Sequence, residues 1–211
     1  MGGWAPGGRY FCTMLYPHLN GKRVILASQS PRRLELVRGL ELEPVTWLKN
    51  VDESYPKELK GPAIAEYITR RKAEAYLSEI KPDDVLITGD TIVLIGNEVL
   101  QKPKDRIEAK RMLEQLSNRT HTVASGIAVT TTKTGIQSTV DTCEVTFGPL
   151  NSELIDHYIM KYQPFDKAGG YGVQDIIGFA GVERIVGSYY TVMGLPTHKL
   201  FRLINNLKSQ L

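Results

Sequence analysis

Between Val85 and Ile95 the chain is continuously apolar except at Thr88-Gly89-Asp90-Thr91, and no other segment restricts the fold so tightly. A run of this kind reads as a β-strand buried on both faces. Asp90 then lies where a carboxylate is stable only if a metal, a cation or several hydrogen bonds compensate it. The alternative is a carboxylate at a strand end that bonds nearby backbone. Perturbed carboxylates mark functional sites often rather than always.

The segments around this strand alternate in period. Val24 to Ala27 is a short β-like run, and Ser28-Gln29-Ser30-Pro31 leads into a helix in which Leu34, Val37 and Leu40 share a face. Pro44 to Leu48 reads as a second strand, and Pro62 opens a helix carrying Ile64, Tyr67, Ile68 and Ala75 that runs until Lys81-Pro82. Asp105 to Glu108 matches a reciprocal capping pattern, with Ile107, Met112, Leu113 and Leu116 as the apolar stripe that follows. His121 to Thr131 and Ile136 to Phe147, joined by Lys133-Thr134-Gly135, predict a hairpin. Asn151 or Ser152 caps a further helix, Asp166 to Gly172 is a glycine-rich loop, Ile185-Val186 and Tyr189 to Met193 read as short strands, and Pro196 begins a last helix to Leu207. The alternation gives an α/β class, and the hairpin makes its sheet mixed.

A chain of 211 residues buries a real core as one domain, here expected over residues 21–211. Residues 1–20, rich in glycine and turn formers and without periodicity, are expected to be a disordered extension, with Met14 as a candidate start. A net charge of +3, with 26 basic and 23 acidic residues interspersed, argues against a dedicated nucleic-acid binder. No apolar run approaches the roughly 20 residues that span a bilayer. Cys12 and Cys143 lack any paired spacing, so a reducing, cytoplasmic setting is expected.

Four groups of residues carry chemistry. Ser28, Ser30, Arg32 and Arg33 sit in a strand-to-helix loop where hydroxyls, guanidinium groups and free backbone N–H groups converge, as suits phosphate; plain capping by Ser30 with two solvated arginines is the competing account. Lys72 lies four residues after Ile68, near its helix's apolar stripe, and Lys102 stands beside Pro103 in a loop, though snorkelling or solvation accounts for either one alone. Asp52 and Glu53 follow the second strand and offer oxygen ligands for a hard divalent cation shared with Asp90, with plain surface carboxylates as the default account. Asp166-Lys167, with Gly169, Gly170 and Gly172 behind them, let backbone approach a ligand closely, a plain turn being the competing account. The four histidines have no metal-ligand spacing, and no nucleophile elbow is present.

Taken in order, Ala27-Ser28-Gln29-Ser30-Pro31-Arg32-Arg33, Val51-Asp52-Glu53, Lys72-Ala73, Gly89-Asp90-Thr91-Ile92-Val93, Lys102-Pro103 and Asp166-Lys167-Ala168-Gly169-Gly170-Tyr171-Gly172-Val173-Gln174 resemble the Maf family of nucleoside triphosphate pyrophosphatases. The likeness runs from about Arg23 to Leu207, and Gly187-Ser188-Tyr189 and Val192 to Pro196 complete it. It departs at Gly170, where the family often has alanine, and at Ser125, where a threonine is common. The resemblance implies an elongated mixed sheet flanked by helices, with two lobes around a cleft, and cleavage of a nucleoside triphosphate to the monophosphate and pyrophosphate.

By the same resemblance Asp90 is the proton acceptor for water, and Glu53 and Asp90 hold a divalent cation, Mg2+ or Mn2+. Ser28, Arg33, Lys72 and Lys102 match phosphate-holding positions, and Asp166 and Lys167 join the substrate-binding set. Arg32, Thr91 and Gln174 match the subgroup that prefers dTTP and UTP. A homodimer is one assembly open to such a chain. Two other readings share part of this pattern: a purine house-cleaning enzyme acting on ITP or XTP, and a nucleotide-binding regulator of cell division that needs no base.

Overall fold

In the computed structural model, which describes residues 15–209, the apolar run is a twelve-residue strand, and it is the spine of the molecule. The strands are β1 (Arg23–Leu26), β2 (Val45–Thr46), β3 (Asp84–Ile95), β4 (Glu98–Leu100), β5 (Thr120–Thr131), β6 (Gly135–Phe147) and β7 (Val182–Val186). They form one seven-stranded mixed sheet in the order β2-β1-β3-β5-β6-β7, with β4 also paired to β3. Strands β2, β1 and β3 are parallel, and every other pairing is antiparallel. The helices are α1 (Pro31–Gly39), α2 (Ala63–Glu74), α3 (Arg106–Leu116), α4 (Ser152–Tyr162), α5 (Ile176–Gly181), α6 (Tyr189–Met193) and α7 (Thr197–Asn206).

Strand β3 has two different edges. Toward β5 it is paired from Leu86 to Leu94. On the opposite edge β1 reaches only to Ile87 and β4 begins only at Val93, so neither strand reaches residues 88–92. The sheet opens at this break, beside the C-terminal end of β1, the usual position for ligands in open α/β sheets. Two large apolar clusters flank the opening. One, around Leu113, Phe147 and Tyr158, belongs to the lobe of α3, α4 and α5; the other, around Leu26, Val37 and Leu200, belongs to the lobe of α1 and α7.

Local sequence explains the element ends. Ser30 accepts a hydrogen bond from the Arg33 backbone N–H, and Pro31 occupies the first turn of α1. Asp105 caps α3 through the Glu108 N–H, but the Glu108 carboxylate reaches back to the Lys104 N–H, one residue before the reciprocal pattern requires. Asn151 accepts from the Leu154 N–H at the start of α4.

Four expectations change. The domain does not begin at residue 21: Tyr16 and Leu19 are buried, the Tyr16 hydroxyl donates to the Leu40 carbonyl, and His18 bonds the Ile204 carbonyl, so residues 15–20 pack on α1 and α7. Residues 1–14, with Met14 and the rest of the expected disordered extension, lie outside the described residues. Tyr189–Met193 is a helical turn rather than a strand, because Gly194 at φ 106 closes it and Thr191 turns inward. Helix α2 ends at Glu74, with turns rather than helix leading to Lys81, and Ile107 is 81% exposed instead of joining its stripe.

Gly126 sets the height of α2 over the sheet. It pairs with Asp90 across the β3–β5 ladder, and a Cβ built there would fall within contact distance of the Thr69 hydroxyl and the Ala65 carbonyl. The Thr88 hydroxyl donates to the Thr69 carbonyl and fixes the same approach. Gly126→Ala is therefore expected to destabilise the fold by about 1–3 kcal/mol through overpacking, read as a lower urea midpoint with unchanged slope.

His121 is buried between Phe147 and Tyr171, and its Nε2 lies 2.7 Å from the Tyr171 hydroxyl. Burial pulls its pKa down from 6.5 to about 4. The folded state thus binds fewer protons than the unfolded state at acid pH. His121's contribution to stability is complete above about pH 6.5 and is lost as pH falls toward 4. Between pH 7.5 and pH 4.5 the protein should lose about 2 kcal/mol more than the His121→Gln variant in paired urea titrations. Equal losses would exclude this account.

Candidate active site

The break in the sheet edge opens into a cleft of about 620 Å³, and its lining includes Ser28, Arg32, Arg33, Glu53, Lys72, Asp90, Thr91, Lys102, Asp166, Lys167 and Gln174. The candidate side chains read from the sequence converge there, Asp52 excepted. Six basic side chains, counting Lys49, face three carboxylates, so the net field attracts anions although the whole chain is nearly neutral.

Asp90 is 6% exposed and projects from β3 at the unpaired stretch. Lys72, on the last turn of α2, donates to its Oδ1 at 2.6 Å. The same ammonium lies 2.8 Å from Glu53, and Lys102 approaches the other Glu53 oxygen at 3.6 Å. Burial opposes ionisation of Glu53, but Lys72 and then Lys102 outweigh it and hold the carboxyl below its usual range. Asp52 turns away: its oxygens accept from the backbone N–H and hydroxyl of Ser54. Of the two adjacent acids only Glu53 belongs to the cleft.

Arg33 is gripped from behind. Its Nε donates to the Gly194 carbonyl at 2.8 Å, Nη2 to the Thr91 hydroxyl at 3.0 Å, and Nη1 to the Ser28 hydroxyl at 3.4 Å. Burial lowers its pKa and the Asp90 charge opposes that, so the guanidinium stays a fixed cation in the wall. On the facing lobe Asp166 accepts from Lys167 at 2.8 Å and from Arg32 at 3.3 Å. Burial opposes its ionisation, and Lys167 with Arg32 reverses this. Gly169, at φ 68, lies against Val93, so the loop's backbone hugs β3 as only glycine allows.

Three features of the site go beyond the sequence reading. Lys49 packs its ammonium over the rings of Trp47 and Tyr76 and donates to the Ala75 carbonyl at 2.6 Å. The Tyr158 hydroxyl, from α4, accepts from the Gly172 N–H and donates to Asp175, tying the glycine loop to its helix. Ser125 stands behind Thr91, a neighbour that only the strand register reveals. The signal for Lys49 is Trp47, an aromatic two residues before the cation; the other two depend on pairing across 14 and 34 residues.

Two carboxylates joined by one ammonium form an oxygen-only donor set. Among the described residues no group of three or more His, Cys, Asp or Glu is gathered for a metal ion. Glu53 and Asp90 therefore suit a small, hard divalent cation that takes its remaining ligands from water and a substrate, and they do not suit zinc. No helix among the described residues is long and apolar enough to cross a membrane.

Known proteins resemble this chain over most of its length. A relative from Bacteroides thetaiotaomicron, named dTTP/UTP pyrophosphatase, is 48% identical over 191 residues, which cover 90% of this chain and 98% of that protein. One of the same name from Flavobacterium psychrophilum is 42% identical over 193 residues, covering 92% and 98%. A solved structure of a HAM1 protein from Coxiella burnetii aligns with a TM-score of 0.49 at 15% identity, covering 88% of this chain and 99% of that one. The family model described as Maf-like protein matches residues 23–207, and with relatives this similar over nearly their full lengths the chain belongs to that family.

Proposed function

We propose that the cleft hydrolyses dTTP and UTP to the nucleoside monophosphate and pyrophosphate, as a house-cleaning activity of the cytoplasm that keeps normal or modified pyrimidine nucleotides in check. The observation that carries this reading is the buried Asp90 carboxylate within 2.6 Å of the Lys72 ammonium, at the floor of a cleft rich in basic side chains. A triphosphate needs dispersed cations to offset its charge and a base to activate water, and both stand on one wall.

In this reading Arg33, Lys72 and Lys102 bind and orient the phosphate chain, with Ser28 supplying a hydroxyl and Lys167 a cation from the facing lobe. Asp90 takes the proton of the attacking water. Glu53 and Asp90 would hold Mg2+ or Mn2+, which would supply Lewis-acid polarisation of a phosphate. As the triphosphate enters, Lys72 exchanges Asp90 for phosphate oxygen, and the carboxylate becomes free to act as base.

Base choice rests on Gln174, Thr91 and Arg32. The buried Gln174 amide oxygen has no hydrogen-bond partner among the described residues. An acceptor left open in this way suits the N3–H of uracil or thymine, which cytosine lacks, because a buried polar group without its partner penalises the wrong ligand.

With Mg2+ or Mn2+ present, pyrophosphate release is expected to be fastest from dTTP and UTP across a nucleotide panel read by product chromatography. Orthophosphate as product, or a preference for ITP or XTP, would reject the proposal. Asp90→Asn should lower kcat by about 100-fold or more while KM shifts only a few-fold, because a base acts in the transition state. An unchanged rate in that variant would favour a regulator that only senses nucleotide. Gln174→Leu should raise the UTP KM about tenfold and narrow the difference between UTP and CTP.

A further inference from the structure

We propose that Ser125 is a positioning residue for substrate binding, acting through Thr91 to fix the Arg33 guanidinium. The case is one of proton accounting in a hydroxyl chain that runs from Thr91 at the cleft to the fully buried Ser125 and Thr191. Ser125 is 0% exposed and pairs with Thr91 across the β3–β5 ladder. Its Oγ lies 2.8 Å from the Thr191 carbonyl oxygen, which can only accept, so the single Ser125 proton is committed there. The 2.8 Å contact between the Ser125 and Thr91 hydroxyls must then be donated by Thr91.

That assignment decides what Thr91 offers Arg33. With its proton directed to Ser125, Thr91 presents a lone pair to Arg33 Nη2 at 3.0 Å. It also leaves the Gly194 carbonyl, 3.3 Å from Thr91 Oγ1, to Arg33 Nε at 2.8 Å. Hydrogen bonds therefore run one way, from Arg33 to Thr91 to Ser125 to the Thr191 carbonyl. The far end is pinned as well, since the Thr191 hydroxyl donates to Asp141 at 2.6 Å. Neither Ser125 nor Thr191 lines the cleft, so both act at a distance from the ligand.

Ser125→Ala removes the acceptor for the Thr91 proton. The nearest alternative is the Gly194 carbonyl, where Thr91 would compete with Arg33 Nε. The guanidinium then loses its fixed aim while the wall keeps its charge. The expected result is a substrate KM raised about tenfold with kcat within threefold of wild type. Ser125→Thr keeps the hydroxyl and should bring KM back to within threefold. In a double-mutant cycle, Ser125→Ala in a Thr91→Val background should shift KM less than threefold, because the route through Thr91 is already cut.

This inference rests on the proposed nucleotide activity, and calorimetric binding of inorganic pyrophosphate separates the two. If wild type turns over no nucleotide the activity reading fails; affinity for pyrophosphate about tenfold weaker in Ser125→Ala still supports the positioning role. Equal KM and equal pyrophosphate affinity in the alanine variant, with only a lower melting temperature, would make Ser125 a purely structural residue and overturn it. Additive effects in the cycle would overturn it too. Should the threonine variant fail to fold, the alanine variant's KM and pyrophosphate affinity decide the matter by themselves.

Discussion

A carboxylate in the middle of an apolar strand is unstable unless a counter-charge is delivered to it, and the contact between Lys72 and Asp90 is that delivery. Much of the architecture follows from it. Helix α2 must lie close enough over β3 for a lysine on its last turn to reach the sheet, which requires the absence of a side chain at residue 126. The carboxylate must also open on a cleft rather than on a neighbouring strand, which requires β1 to stop and β4 to start late on that edge of β3. Glycine packing and broken strand pairing, which look like separate details, are two conditions for the same ion pair.

The fold was legible in the sequence where periodicity ran long. The β3 run, the β5–β6 hairpin and helices α1, α3 and α4 carry enough repeats to outweigh local ambiguity. Tyr189–Met193 carries too few: five residues rich in β-branched and aromatic side chains suit one helical turn as well as a strand, and the closing glycine decides. Ile176–Gly181, six residues with two glycines, gave no sign of a helix at all. Tyr16 and Leu19 escaped for a different reason. The partner of the Tyr16 hydroxyl lies 24 positions away and that of the adjoining His18 lies 186 away, and nothing local announces packing of that kind.

The cleft followed the same rule. Asp90 and the Ser28–Arg33 loop stood out because burial and helix capping are local signals. Lys72 did not, since a lysine near an apolar stripe snorkels as readily as it pairs. By residue type Asp52 and Glu53 were alike, only the resemblance singled out Glu53, and the turn at Ser54 takes Asp52. Ser125 became visible only once the register placed it opposite Thr91. Residues that touch the cleft betray themselves by type; residues that hold those residues in place do so by pairing.

A wall with this many cations should repel itself, and the way it avoids doing so bears on what it can bind. Glu53 serves both Lys72 and Lys102, while Asp166 serves both Lys167 and Arg32. Each carboxylate thus quiets two cations on its own lobe or across the cleft. The pairs are half open to solvent, with Glu53 at 44% and Asp166 at 55% side-chain exposure, so each contributes little and is readily exchanged. A singly charged anion would displace one such contact and gain little. A polyphosphate replaces several at once, turning Lys102, Lys167 and Arg32, with Lys72 drawn from Glu53, toward one ligand, and its binding therefore depends steeply on the number of charges it carries.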